Sequence, residues 1–164
     1  MPRPFRWWGR HFLIAEFALA ILLTIGFGVW YCALDGWTAT SALLQGNRAV
    51  LFGTIASILG SLLGFVITAT SIVLGFSASD RLAVVRESAQ YPTIWKTFSA
   101  TIRALAFATI VALVCLLFDR DNAPKTWLAI PLGFAMLLAL LRISRSIWVL
   151  EQIIGLVTRP SPSR

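Results

Sequence analysis

The chain has 164 residues, of which 58% are hydrophobic and only 13% charged, with a mean hydropathy of +0.81. Soluble domains carry about 25% charged residues, so this composition excludes an ordinary water-soluble domain and points to a membrane protein. The net charge of +7 would suit nucleic acid. No run of basic residues interleaved with aromatics occurs, however, and the distribution of charge along the chain accounts for it without such a partner.

Residues 1–11 read as a basic, aromatic arm. Arg6, Trp7, Trp8, Arg10 and His11 suit a segment lying against anionic headgroups. His11 is the single histidine, which rules out a histidine-based metal site within one chain. The first apolar run, Phe12–Ala33, is too long for a signal-peptide core and no A-x-A site follows it. The bulky Trp30-Tyr31 before Cys32 argues against a lipoprotein cleavage site, so a permanent helix over about 11–33 is expected. Asp35-Gly36 then opens a loop that closes near Asn47-Arg48.

The second helix starts near Ala49 and its apolar part reaches Phe76. That is ~42 Å at 1.5 Å per residue, against a hydrocarbon core of ~30 Å. It must tilt or run on past the bilayer. Leu82, Val85 and Ala89 keep helical spacing, which extends the expected helix to about residue 89. Pro92 punctuates the chain, because the residue before a proline avoids helical geometry, while Pro92 itself suits a first turn. The third helix is expected over 92–118. The second and third helices thus form one long hairpin whose closed end, with Asp80, Arg81, Arg86, Tyr91, Pro92 and Lys96, reaches into the cytoplasm and could meet a protein partner. Asp119–Lys125 reads as a tight, solvated loop. The fourth helix is expected over 127–157, with Pro131 tolerated in its opening turns and residues 159–164 forming a short tail. The expected fold is an all-α, four-span membrane protein.

Orientation follows from Lys and Arg. Eleven of the fourteen lie in the N-terminal arm, the 81–103 connection and the C-terminal segment, leaving Arg48, Arg120 and Lys125 opposite. The positive-inside rule places both termini in the cytoplasm of a bacterial inner membrane. Trp7, Trp8, Trp95 and Trp148 fall at the inner interface, and Trp30, Trp37 and Trp127 at the outer one.

The second helix carries a stripe of small residues. Gly53, Ser57, Gly60, Gly64, Thr68, Ser71 and Gly75 share an arc of roughly 80° at ~100° per residue. Such a stripe lets another backbone approach closely or forms the wall of a narrow pore. Packing against Thr101, Ala104, Ala108, Ala112 and Cys115 of the third helix in the same subunit is the plainer expectation. Packing between subunits and pore lining are the alternatives. Glu16 lies just inside the inner end of the first span, and an intramembrane carboxylate calls for a partner or a function. Arg103, Arg142 and Arg145 lie at similar depth, so an ion pair is expected. Cys32 and Cys115 sit in apolar runs and read as two buried free thiols.

No nucleophile elbow, phosphate loop, Cys-x-x-Cys or carboxylate pair occurs within the spans, so neither catalysis nor a metal or cofactor is expected. A four-helix outline with Ile14-Ala15-Glu16 in the first helix is similar to the small multidrug resistance transporters. Those proteins have minimal loops and a deeper glutamate, which makes proton-coupled transport the least favoured reading. The outline is also similar to small four-span proteins of bacterial defence and stress operons. The reading that follows is a homo-oligomer in the lipid bilayer that forms or gates a pore or perturbs the membrane. The alternative is a non-conducting anchor or sensor that presents the hairpin to a partner.

Overall fold

The computed structural model describes the backbone of residues 3–77 and 91–157 and the side chains of 12–75, 94–125 and 127–151. Helices α1 (Arg3–Ala33), α2 (Gly36–Leu44), α3 (Arg48–Ser77), α4 (Tyr91–Phe118) and α5 (Ala129–Val157) follow in chain order, with a 3-10 turn over Thr126–Leu128. Four of them, all but α2, are long and apolar enough to cross a membrane. Helix is the expected solution for such runs, because it satisfies every backbone donor and acceptor within the segment.

The four long helices alternate in direction. α4 is central, packing against α3 on one side and α5 on the other, and α1 docks on α5. The spatial order α3, α4, α5, α1 is a row rather than the order of the chain. Small side chains set the tightest contact. Ala108 and Ala112 of α4, with Ala135 and Ala139 of α5, are completely buried and let the two helices approach closely. Phe52, Ala56 and Leu59 of α3 pack on α4 from the other side.

Helix boundaries depart from the expected ones in three places. α1 begins at Arg3, so the backbone of the arm is continuous with the first span. The last span opens with a 3-10 turn before Ala129. The third departure is α2, in a stretch expected to be loop. Its flanking turns are where the sequence signals them. Asp35 takes a left-handed conformation (φ 53°) and its carbonyl accepts from the Thr38 amide at 3.0 Å. Gly46, with φ +76°, supplies the left-handed residue of the next turn. The Asn47 carbonyl then accepts the Leu51 amide at 2.9 Å, which starts α3. Between these turns Gly36 is seated under the Trp30 indole, whose nearest ring carbon is 2.8 Å from where a Cβ would stand, and Leu44 is buried. Nine residues are too few for a stable isolated helix, so these tertiary contacts hold α2 in place.

The stretch expected to close a hairpin between the second and third long helices, with Asp80, Arg81 and Arg86, lies outside the described residues. Tyr91 and Pro92 form the first turn of α4, and Lys96 is exposed one turn further along.

Candidate functional site: two ionic clasps and an outward stripe

The charged residues of the spans gather at the two ends of the helix row. At the end away from α2, Glu16 of α1 reaches across to α5. Arg142 Nη1 lies 2.9 Å from Glu16 Oε2, off the line of its N–H, and Arg145 Nη1 donates to Glu16 Oε1 at 3.2 Å. Arg142 also donates from Nη2 to the Leu13 carbonyl at 3.0 Å. The Arg145 guanidinium stacks 3.8 Å over the Phe12 ring, an attraction that strengthens out of water. Arg142, Arg145 and Ser146 sit within one turn and a half of α5, so one helix face serves both neighbours. On the α4 side the Thr101 hydroxyl and the Ser146 hydroxyl share a hydrogen bond of 2.7 Å, and Thr101 also lies 3.1 Å from the Arg142 carbonyl. The expected pairing of Glu16 therefore forms with Arg142 and Arg145. Arg103 stands apart from it, exposed on the outward face of α4.

At the α2 end a second clasp joins α3 to α4. Arg48 Nη1 lies 2.7 Å from both carboxylate oxygens of Asp119, and the two side chains are 3% and 1% exposed. The Lys125 amide donates to Asp119 Oδ1 at 2.7 Å. Asp121 Oδ1 accepts the Gly46 amide at 3.0 Å and lies 3.7 Å from Arg48 Nε. Asp119 was expected in a solvated loop and is instead buried. The reason is its position one residue past the end of α4, against the first residue of α3. A cation opening a helix and an anion closing one each stand against their own helix dipole. Paired across two helices, they neutralise each other. The weak signal available in sequence was that each charge borders an apolar run at the same expected depth.

The small-residue stripe does not pack within the subunit. α3 turns Phe52, Ala56, Leu59 and Thr70 inward, and these lie ~120° around the helix from the stripe. Ser57, Gly64, Thr68, Ser71 and Gly75 are exposed, and Gly53 and Gly60 are half-buried. A Cβ added at Gly53, Gly60, Gly64 or Gly75 would meet no atom within 4 Å. The expected contact with Thr101, Ala104, Ala108, Ala112 and Cys115 is thus absent. That row is buried, but it meets α5, through Ala135, Ala139 and Ser146, and the Phe52, Ala56 and Leu59 face of α3 rather than the stripe. The Thr68 and Ser71 hydroxyls donate to the Gly64 and Ile67 carbonyls of their own helix at 2.9 Å.

Cys115 is buried and Cys32 exposed, both free. One helical step from the buried Tyr31 rotates Cys32 off the packed side, which corrects the expectation of two buried thiols. Among the described residues no three His, Cys, Asp or Glu side chains gather as a metal-binding set. Between α3 and α5 lies an open apolar groove of about 110 Å³, lined by Ile58, Leu59 and Leu62 and by Met136, Leu140 and Ile143. It lies on the side of α3 opposite the stripe. No protein-family model, curated protein or solved structure matches the chain.

Proposed function

We propose that the protein is a multi-pass protein of a bacterial inner membrane, with both termini in the cytoplasm, that assembles as a homo-oligomer through α3 and forms or gates a pore or perturbs the bilayer. The outward stripe carries this reading. Glycine lowers helix stability by roughly 1 kcal/mol relative to alanine in a helix interior. A face that met only lipid would gain nothing from Gly53, Gly60, Gly64 and Gly75 in one row. A second copy of α3 would gain close backbone approach. Glu16, Arg48, Asp119, Arg142 and Arg145 are engaged within the subunit, and the stripe itself carries no charge. Its Thr68 and Ser71 hydroxyls are satisfied by the α3 backbone, which suits an axis that is dry at rest and opens by wetting.

The test combines accessibility with conductance. In liposomes, Ser57→Cys, Gly64→Cys, Thr68→Cys and Ser71→Cys should react with a water-soluble thiol reagent when the protein conducts, while Leu59→Cys and Val66→Cys should not. Dimeric and higher cross-links should form through the stripe positions. Cross-links without conductance would leave the non-conducting anchor or sensor, and a stripe that neither cross-links nor conducts would reject the assembly.

A further inference from the structure

α2 is an unusual element to find exposed. From Gly36 to Asn47 the chain carries no charged residue, yet Trp37 is 50% and Leu43 81% exposed, and Leu34 just before the helix 70%. A nine-residue helix standing in water would be expected to turn charged or polar side chains outward. The arrangement around the α2 axis is ordered. Gly36, Thr40 and Leu44 form the side packed on the protein. Trp37 and Leu43 flank that side at ~60° to either hand, and Thr38, Ser41 and Ala42 lie further round, toward the opposite side. The polar residues there cap their own backbone, with Thr38 Oγ1 donating to the Asp35 carbonyl at 2.6 Å and Ser41 Oγ to the Thr38 carbonyl at 2.9 Å.

The depth of α2 is fixed by its tethers. It is joined to the last residue of α1 and the first residue of α3 by two and three residues. It packs against the end of α1 and the turn that opens α5, and the Gly46 amide is tied to Asp121. These contacts lie at the end of α1 and in the segments that join α4 to α5. The apolar flanks therefore sit where hydrocarbon gives way to headgroups. Trp127, 62% exposed in the 3-10 turn that leads into the last helix, belongs to the same level, and tryptophan favours that boundary.

We propose that α2 is a membrane-surface helix. Its flanks, Trp37 and Leu43, and Leu34 just before it would be immersed in the headgroup–acyl boundary of the leaflet at this end, and Thr38, Ser41 and Ala42 would face water. This rests on the membrane reading above but not on oligomerisation or conduction. The ligand is the lipid interface itself, entered to a depth of ~5–10 Å.

Spin labels placed one at a time on the full chain in phosphatidylcholine–phosphatidylglycerol vesicles test it, in a Cys32→Ala, Cys115→Ala background. Trp37→Cys and Leu43→Cys should show a ratio of oxygen to water-soluble nickel accessibility at least about threefold higher than Thr38→Cys and Ser41→Cys, as expected for a helix lying in the interface. Leu22→Cys, 68% exposed at the middle of α1, is the control for the span. If Leu22→Cys is lipid-exposed while positions 37 and 43 are open to nickel, α2 stands in water and the proposal fails, with the membrane reading intact. Positions 37 and 43 shielded from both reagents would mean a protein covers them, which also overturns it. Nickel access at Leu22→Cys would overturn the membrane reading and this one together.

Discussion

Removing one member of the Arg48–Asp119 clasp while keeping the other should be the most damaging single change in the described residues. The guanidinium nitrogen touches both carboxylate oxygens at 2.7 Å, and neither side chain is more than 3% exposed. At an effective dielectric of about 20 the Coulomb attraction at that distance is ~6 kcal/mol. Much of it offsets the desolvation of the two groups, so the net contribution of the pair is small. The loss on breaking it is not, because the survivor is left charged and buried, at a cost of about 3–5 kcal/mol. Asp119→Asn is the cleanest probe. It keeps the shape and an oxygen for the Lys125 amide while removing the charge that Arg48 faces. Arg48→Met does the converse. The free energy of unfolding of each variant in mixed micelles, titrated with a denaturing detergent, should fall by that amount. The combined Arg48→Met, Asp119→Leu variant should recover at least about 2 kcal/mol of the summed single losses, since it leaves no charge unpaired. Additive losses, or a single-variant loss below about 1 kcal/mol, would refute the reasoning and mean that water reaches the pair.

Glu16→Gln should lower stability by about 1–3 kcal/mol, and the loss should shrink when Arg142 is also neutralised, measured by the same titration as a double-mutant cycle. Gly60→Leu or Gly64→Leu should leave the fold of the single chain intact, because a Cβ at either position meets no atom of another helix within 4 Å, yet abolish cross-linked oligomers on a denaturing gel. Ala108→Leu or Ala135→Leu should behave in the opposite way, lowering stability by about 1–3 kcal/mol through overpacking of a closed helix contact. In detergent, Cys32 should react rapidly with a small maleimide and Cys115 only after unfolding, as their exposed and buried positions require.

The four long apolar helices were legible because length and apolarity alone decide them, and Glu16 was legible because a carboxylate inside an apolar helix needs a nearby cation. Periodicity also grouped Gly53 through Gly75 on one face of α3. It could not say which way that face turns, since small residues suit close packing within a chain as well as between chains. The orientation was settled by Phe52, Ala56 and Leu59, which fill the contact with α4. The clasp of Arg48 and Asp119 was hidden by a separation of 71 residues and by the ordinary appearance of a charge at the end of a span. α2 was hidden because Gly36, Thr38, Thr40 and Ser41 have weak helix propensity, and contacts outside the segment, with Trp30, the 3-10 turn before α5 and Asp121, hold it helical.

The row of helices also sets an order of events during synthesis. On the proposed membrane reading α1 would enter the bilayer first, yet its main long-helix neighbour is α5, the last to be made. Glu16 and the arginine that donates to it are 129 residues apart. At about 5–20 residues per second, the nascent chain carries that carboxylate without its cations for roughly 6–26 s. Through that interval α1 would have to be held by the insertion machinery or lie shallow enough for Glu16 to reach water. The turn of α1 around Glu16 would therefore gain its partners late in synthesis, and a chain truncated before Arg142 should leave α1 exposed to quality-control proteases.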